Sequence, residues 1–380
     1  MTGDGPSSGD LSVPADGMLR QPLVHGVPLA PLTTLRVGGP ASTLVHAATD
    51  ADLVAAVVDC DRVGEPVLLL GGGSNVVVGD AGFDGTVVRV ATQGVSVTRD
   101  GGEIRVVASA GEVWDRLVAR AAGDEWSGIE ALSGIPGLVG ATPIQNVGAY
   151  GREVADVLDS VTAFDRRSRE ITTLTAGECG FGYRSSRFKS ESGRWVILAA
   201  TLRLASDPQS APVRYAELAD RLGIAVGERA ALAQVRRAVL AVRRSKGMVL
   251  DIQDHDTWSV GSFFTNPTVP SSAAQTLPPE CPRWPVDGVG TAEPGGTSVQ
   301  SSVKLSAAWL IGYAGFERGY PNDSRERAGL STKHSLAITN RGGATAAEVL
   351  SLARTIRDAV LTLTGVTLVA EPNFVNVAAL

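Results

Sequence analysis

Cysteine and histidine are scarce in this chain, which has three cysteines and four histidines among 380 residues. Cys60, Cys179 and Cys281 form an odd, scattered set, and no pair has the spacing of metal ligands. This usage is typical of a reducing compartment rather than of a secreted disulfide scaffold. We therefore predict a cytoplasmic protein without a metal site.

Long apolar runs and clustered positive charge are also missing. No run approaches the roughly 18 apolar residues of a membrane-spanning helix, and no basic segment followed by an apolar core opens the chain. Acidic residues outnumber basic ones by 40 to 34, which gives a formal net charge of −6. Because nucleic-acid binding depends on clustered Lys and Arg, we predict no nucleic-acid partner. The lack of long apolar runs predicts no membrane insertion. We also expect a monomer. A small phosphorylated ligand is compatible with this charge.

Helical and strand patterns alternate along the chain between two stretches of low apolar content. Residues 1–20 predict a disordered tail, and residues 270–302 predict a long inserted surface loop. Apolar periodicity predicts helices over 49–64, 112–122, 228–244, 303–311 and 345–363, and strands over 67–70, 86–90, 103–109, 160–165, 196–204 and 366–370. The pattern indicates an α+β protein with lobes at 21–93, 94–206 and 207–370, whose last residues, 371–380, return to the first lobe.

A glycine loop follows the first buried strand. Residues 68–75 read LLLGGGSN, so an apolar strand runs into Gly71, Gly72 and Gly73, then Ser74 and Asn75. Successive glycines allow close backbone approach to a ligand, and exposed N–H groups can hold an anion such as pyrophosphate. The spacing matches neither the dinucleotide fingerprint nor the P-loop. A plain tight turn is the alternative.

A second glycine-rich run occupies residues 134–151, GIPGLVGATPIQNVGAYG. Its glycines and prolines are incompatible with a regular helix or a central strand. It is largely uncharged, and its amide side chains, Gln145 and Asn146, suit recognition of a neutral planar ring with carbonyl and N–H groups. A buried structural crossing is the alternative.

Six motifs in order resemble the UDP-N-acetylenolpyruvoylglucosamine reductase family from about residue 21 to the C-terminus. They are LGGGSN at 70–75, the run at 134–151, CGFGYRSS at 179–186, GSFFTNP at 261–267, KLSAAWLI at 304–311 and AEPNFV at 370–375. The resemblance implies a two-lobed FAD-binding domain of the vanillyl-alcohol-oxidase/para-cresol type and a C-terminal α/β substrate-binding domain. It also implies non-covalent FAD, NADPH as co-substrate and a nucleotide-sugar substrate.

The resemblance further implies which residues contact the cofactor. The loop from Gly71 to Asn75 would hold the FAD pyrophosphate, and the second run would line the rest of the cofactor. The contacts expected there come from Gly134, Ile135, Pro136, Gly140, Gln145, Asn146, Gly148, Ala149 and Tyr150.

Three separated polar residues match the catalytic positions of the family: Arg184, Ser262 and Glu371. Taken alone, each has an ordinary structural interpretation, as an ion-pair residue, a turn residue and a strand-end charge. The resemblance places them around an enolpyruvyl group over the flavin. Arg184 would stabilise the charge that builds on the substrate carboxylate, Glu371 would share in that stabilisation, and Ser262 would donate a proton to C2.

Four further residues are candidates for substrate contact, and three of them have an alternative role. Tyr183 neighbours the catalytic Arg; Tyr215 resembles a substrate-covering Tyr or is a core residue. Lys246 either contacts the UDP phosphates or ends a helix, and Asn266 either binds substrate or starts a turn. Lys333 and His334 lie near the substrate or at a surface loop end.

Two other functions compete with the reductase. The first is an FAD-linked oxidase on the same fold, many of which attach FAD through a His near the glycine loop. No His lies within 71–75 or 134–151, which argues against covalent flavin. The second is a catalytically silent nucleotide-binding module, against which the joint presence of Arg184, Ser262 and Glu371 speaks.

Overall fold

A computed structural model describes residues 23–286 and 301–380. The predicted tail, residues 1–20, and residues 287–300 of the predicted loop lie outside this part of the chain. The described strands, in chain order, are β1 Val24–Pro28, β2 Pro40–Ala47, β3 Val67–Leu70, β4 Val76–Val78, β5 Phe83–Val90, β6 Val95–Asp100, β7 Glu103–Ser109, β8 Trp126–Ser127, β9 Gly148–Ala149, β10 Arg152–Glu153, β11 Leu158–Asp165, β12 Glu170–Thr175, β13 Trp195–Ser206, β14 Thr268–Pro270, β15 Arg283–Val286, β16 Ser302–Leu305, β17 Ala328–Leu330, β18 Ile338–Asn340 and β19 Asn373–Val375. The helices are α1 Asp50–Val63, α2 Trp114–Gly123, α3 Arg187–Ser190, α4 Ala216–Leu222, α5 Leu232–Ser245, α6 Ser271–Ala274, α7 Ala307–Tyr313 and α8 Ala346–Thr364.

Contacts divide the chain into two compact units, each assembled from separate stretches. Of the described residues, unit 1 contains those from Leu23 to Val27, Ala41–Gly72 and Asp84–Val242. Unit 2 contains Pro28–Pro40, Gly73–Phe83 and the described residues of Arg243–Leu380. The lobe limits at residues 93, 206 and 370 stay a prediction.

Unit 1 is built on two sheets. The first has the order β1-β2-β5-β3, and β3 runs parallel to β5 with Val67 opposite Thr86. The second has the order β12-β11-β13-β7-β6, with β8 also paired to β13. In β7 the alternate residues Ile104, Val106 and Ala108 are buried, because successive side chains of a strand face opposite sides of the sheet. They form one core with Trp114, Leu117 and Val118 of α2.

Helix α1 begins and ends where the sequence predicts. The hydroxyl of Thr49 accepts a hydrogen bond from the Asp52 N–H at 3.1 Å, and Gly64 closes the helix at φ +71°. Both devices satisfy backbone groups that the helix ends leave unpaired. Leu53, Val54 and Val57 then pack into a second core of unit 1.

Unit 2 surrounds helix α8. This helix carries a complete capping box, in which Thr345 and Glu348 each bond the other's backbone N–H. Its apolar face, with Val349, Ile356 and Val360, joins a core that includes Phe263 and Phe264. Strands β14-β16-β15 form an antiparallel sheet, and β19 pairs in parallel with β4, Asn373 opposite Val76.

Three local predictions were wrong. Residues 303–311 are a strand and a helix rather than one helix, because the Ser306 hydroxyl caps Trp309 and starts α7 there. Residues 366–370 form no strand beyond a single bridge at Ala370. The described part of the 270–302 loop contains α6 and β15, and it buries Ala274, Leu277 and Cys281 in the core of unit 2.

The Asp165–Arg194 ion pair of unit 1 provides a test of stability against pH. Asp165 is 5% exposed, and its hydrogen bonds with Arg194 hold the pKa of the carboxyl at about 2. The charged pair therefore stabilises the fold above the pKa of the unfolded chain, about 4, and this contribution is lost as pH falls through about 2. We expect Asp165→Asn to lower the free energy of unfolding by about 2 kcal/mol at pH 7, and less below pH 4.

Melting temperatures at pH 7 and at pH 3 measure this difference. The matched control is Asp159→Asn, because Asp159 pairs with Arg203, which is 56% exposed. Exposed pairs contribute about 0–1 kcal/mol. Equal losses in the two variants at pH 7 would contradict the prediction.

Candidate functional site

The two glycine-rich runs touch each other in unit 1. Gly72 follows β3, and a Cβ atom added there would lie 2.8 Å from the Gly137 Cα. A Cβ atom at Gly140 would lie 2.5 Å from the Ala110 Cβ. Side chains are therefore excluded from this backbone cradle, and backbone N–H groups can approach a ligand closely there. A glycine-lined backbone of this kind is compatible with the pyrophosphate of a dinucleotide.

The second half of the glycine loop belongs to unit 2. Gly73 has φ +61°, and a Cβ atom would lie 2.1 Å from the Leu32 carbonyl oxygen. Asn75 donates from Nδ2 to the Glu371 carbonyl at 3.5 Å, and its own carbonyl accepts from the Asn373 N–H at 3.0 Å. The loop end therefore lies beside the predicted catalytic residue Glu371.

The central run, residues 134–151, is held in place by charged residues that the sequence analysis did not select. Asp115 accepts from the Gly134 N–H at 2.6 Å and forms a bidentate pair with Arg236 at 2.6 and 2.9 Å. Glu153 accepts from Asn146 Nδ2 at 2.7 Å. No periodicity or spacing marks these residues, because their partners lie up to 121 residues away in sequence.

The predicted cofactor residues of the run differ in exposure. Pro136 is exposed, and Ile135, Gly148, Ala149 and Tyr150 are half-buried. Gly134 and Gly140 are buried, as are the side chains of Gln145 and Asn146. The accessible members are those best placed to contact a ligand.

Arg184 sits in a tight turn that rests on the central run. Gly182 and Ser185 exchange backbone hydrogen bonds at 3.0 and 3.2 Å, and Arg184 has φ +52°. Its guanidinium donates from Nη2 to the Gly148 carbonyl at 2.9 Å, while Lys189 Nζ donates to the Arg184 carbonyl at 2.9 Å. The third motif and the second are thus brought together within unit 1.

Two tyrosines of unit 1 also meet at this run. Tyr150 and Tyr215 form an edge-to-face pair with ring centroids 5.5 Å apart, and Tyr215 is 44% exposed. Tyr183 is likewise exposed, with the Arg184 guanidinium 5.8 Å from its ring centre. The exposed rings of Tyr183 and Tyr215 can contact a ligand. The exposure of Tyr215 also argues against the alternative that it is a core residue.

Ser262 and Glu371 lie in neighbouring backbone segments of unit 2. The Glu371 N–H donates to the Phe263 carbonyl at 2.9 Å, and the Thr265 N–H donates to the Val369 carbonyl at 3.0 Å. The buried rings of Phe263 and Phe264 anchor the segment in the core. Ser262 and Glu371 are more than 100 positions apart in sequence, yet their segments lie side by side. Both residues are half-buried.

The remaining candidates of unit 2 have identifiable structural contacts. Asn266 Oδ1 accepts from the Ala307 N–H at 3.0 Å and holds the start of α7. Lys246 is half-buried and follows the end of α5. Lys333 forms an ion pair with Asp254, which raises the pKa of the lysine and lowers that of the carboxyl.

Comparison with known proteins identifies the family. Residues 41–174 match the FAD binding domain family, and residues 253–375 match the C-terminal domain of UDP-N-acetylenolpyruvoylglucosamine reductase. The reductase of that name from Cutibacterium acnes is 55% identical over 352 residues, covering 92% of this chain and 89% of the relative. This chain belongs to the UDP-N-acetylenolpyruvoylglucosamine reductase family.

Further UDP-N-acetylenolpyruvoylglucosamine reductases support the same assignment. The Streptomyces coelicolor reductase is 49% identical, covering 97% of this chain and 94% of the relative. The crystal structure of the Thermus caldophilus reductase superposes with a TM-score of 0.61 at 26% identity, covering 94% of this chain and all of the other. The family drawn from the six motifs is confirmed, as is the α+β fold with an FAD-binding domain.

Proposed function

We propose that this chain reduces UDP-N-acetylglucosamine enolpyruvate to UDP-N-acetylmuramate with NADPH, by way of non-covalently bound FAD, in peptidoglycan precursor synthesis. The observation that carries the proposal is the 55% identity over 92% of the chain to a reductase named for this substrate. The glycine cradle of unit 1 agrees with it, because Gly72 approaches Gly137 so closely that a side chain has no room at Gly72.

The cofactor would be held by the two glycine-rich runs. Gly71 to Asn75 would bind the pyrophosphate through backbone N–H groups and the Ser74 hydroxyl, and Ile135, Pro136 and Gly148 to Tyr150 would line the ring. Gly134 and Gly140 are buried and would contribute indirectly, by allowing the run to pack closely against the rest of unit 1. FAD held there would supply the redox chemistry that couples oxidation of NADPH to reduction of the enolpyruvyl double bond.

Three residues of this chain would act on the substrate. Arg184 would bind the enolpyruvyl carboxylate through its planar guanidinium and stabilise the negative charge that develops there. Glu371 would help to stabilise the same charge through a hydrogen bond. Ser262 would donate its hydroxyl proton to C2, a transfer that is feasible because a carbanion-like carbon is a strong base.

Substrate recognition would use the exposed rings of unit 1 and polar groups of unit 2. Tyr183 and Tyr215 offer exposed aromatic faces beside the central run. Lys246 would contribute a cation for the diphosphate, and Asn266 would use the Nδ2 end of its amide, since Oδ1 accepts from Ala307.

The setting of the enzyme is proposed from composition. No helix within residues 23–286 and 301–380 combines the length and hydropathy needed to cross a bilayer. We infer a cytoplasmic monomer that binds a nucleotide sugar. The net charge of −6 argues against a nucleic-acid partner.

One assay tests the proposed reaction. The purified yellow protein is mixed with NADPH and UDP-N-acetylglucosamine enolpyruvate under nitrogen, and the nicotinamide absorbance band is followed. We expect NADPH consumption that requires the enolpyruvyl substrate and matches the UDP-N-acetylmuramate formed. A parallel run in air tests the rival functions: oxygen consumption without NADPH, or a colourless protein unable to take up FAD, would refute the proposal in favour of an oxidase or a silent module.

A further inference from the structure

Asn146 is enclosed by the protein. The residue is 1% exposed, so the surrounding protein covers almost all of its surface. Its Nδ2 group donates to Glu153 Oε2 at 2.7 Å and to the Gly182 carbonyl at 3.2 Å. Its Oδ1 accepts from the Ala155 N–H at 3.0 Å. An amide nitrogen has two hydrogens, and here both have protein acceptors.

This arrangement favours a structural task over contact with the flavin. A residue with almost no accessible surface can reach a ligand only if its neighbours move. If the Asn146 amide donated to a flavin carbonyl instead, Glu153 or Gly182 would lose its hydrogen bond from Nδ2. Leaving a buried acceptor without its partner costs about 1–3 kcal/mol. The amide of Asn146 is therefore committed to the surrounding chain.

Two sets of contacts connect Asn146 to Arg184 and together form a closed ring of interactions. Glu153 lies opposite Gly148 in the β9–β10 pair, and the Gly148 carbonyl accepts from the Arg184 guanidinium at 2.9 Å. The Gly182 carbonyl, bonded to Asn146, opens the turn that contains Arg184. Asn146 thus fixes both the backbone of the turn and, through Glu153 and Gly148, the acceptor that aims the guanidinium.

The turn needs such support because its backbone is unfavourable. Arg184 has φ +52° and Asn146 has φ +42°. Both lie in the left-handed region, where residues other than Gly, Asn and Asp are strained. Strained residues persist only when surrounding contacts determine their conformation, and they cluster at functional sites. Asn146 is a residue type that tolerates its own left-handed conformation while holding that of Arg184.

We propose that Asn146, together with Glu153, is a positioning residue that aims Arg184 at the substrate carboxylate rather than a flavin contact, an inference that rests on the proposed function of Arg184. Loss of the Asn146 amide lets the guanidinium shift. A shift of about 1 Å can lower a rate by about 10²-fold. The effect falls on kcat more than on KM, because Arg184 acts on charge that develops in the transition state.

A double-mutant cycle tests the proposal. Asn146→Gly removes the amide and keeps an allowed left-handed backbone, and Arg184→Gln removes the guanidinium. We expect a kcat loss of about 10- to 100-fold for Asn146→Gly and about 10²–10³-fold for Arg184→Gln. The double variant is expected to be no slower than Arg184→Gln, because a residue that acts through Arg184 has nothing left to position.

Flavin readouts separate positioning from cofactor binding. FAD content per chain, and the rate of flavin reduction by NADPH without the enolpyruvyl substrate, are expected to match wild type in Asn146→Gly. The control Ser133→Ala removes another buried hydrogen bond just before the run, from Ser133 Oγ to the Glu130 carbonyl at 2.6 Å, which has no part in the ring of interactions. Its kcat is expected to remain near that of wild type.

Losses that multiply in the double variant, or FAD loss that accounts for the lower kcat of Asn146→Gly, would overturn the proposal. If Asn146→Gly does not fold, Glu153→Ala and Glu153→Gln provide the same test, because only glutamine keeps an oxygen for Asn146. Equal kcat in those two variants would also overturn it. A wild-type protein that fails to oxidise NADPH with the enolpyruvyl substrate refutes the proposed function instead.

Discussion

Replacing Ser262 with alanine is expected to lower the rate of product formation by about 10²–10³-fold, because the variant has no hydroxyl to protonate C2. Reduction of the flavin by NADPH is expected to proceed as in wild type, since that half-reaction requires no proton from Ser262. Stopped-flow absorbance separates the two steps, with NADPH alone in one experiment and with the enolpyruvyl substrate added in the next.

Two matched variants make this result specific. Ser262→Cys keeps a proton donor and should recover part of the lost rate. Ser259→Ala removes a hydroxyl of the same segment that accepts from the Gly261 N–H at 3.1 Å, and it should reduce stability more than turnover. A Ser262→Ala protein with wild-type turnover would show that the proton comes from elsewhere.

Replacing Gly72 with alanine is expected to strip the protein of FAD. The added Cβ atom would lie 2.8 Å from the Gly137 Cα, so one of the two glycine-rich runs must move away from the other. Forcing atoms into a closely packed site typically costs about 1–3 kcal/mol, and here the strain falls on the backbone that would hold the cofactor. Flavin absorbance per chain after gel filtration and the melting temperature with added FAD measure the loss.

The neighbouring glycine provides the control. A Cβ atom at Gly71 would meet only the Leu138 side chain, at 3.5 Å, which is an ordinary contact. Gly71→Ala is therefore expected to retain FAD and to melt near the wild-type temperature. Equal flavin loss in both variants would mean that the loop tolerates no side chain for reasons other than the approach of Gly137.

The parts of the fold that could be predicted from the sequence are those whose signals are local. Helix α1 follows from the Thr49 cap, the closing Gly64 and the apolar spacing between them, and α8 follows from the Thr345–Glu348 box. Strand β7 was predicted with its observed bounds, Glu103–Ser109, because alternate burial leaves a two-residue period in the sequence.

The errors arose where tertiary pairing decides the local structure. Residues 302–305 carry apolar residues that continue the spacing of α7, but pairing with β14 and β15 makes them a strand. Residues 366–370 are apolar enough for a strand but make only the Ala370–Phe264 bridge, while the more polar Asn373–Val375 pairs with β4. Such partners lie far away in sequence, so periodicity cannot reveal them.

The candidate site shows the same division. The glycine runs and the motifs around Arg184, Ser262 and Glu371 were recognisable as sequence patterns. The roles of Glu153 and Asp115 were not, because each bonds the central run through geometry that no spacing rule encodes. Asn146 was assigned to the cofactor by composition, and only its burial reveals the alternative role.

The parallel pairing of β19 with β4 has a consequence for synthesis of the protein. About 300 residues separate Val76 from Asn373, so this ladder cannot form until synthesis has passed residue 375. Most of unit 1 lies within residues 84–242, and domains generally fold in the order in which they emerge. Unit 2 therefore gains this pairing only after residues 84–242 have been synthesised, and a chain that is released before residue 373 leaves β4 without this partner strand.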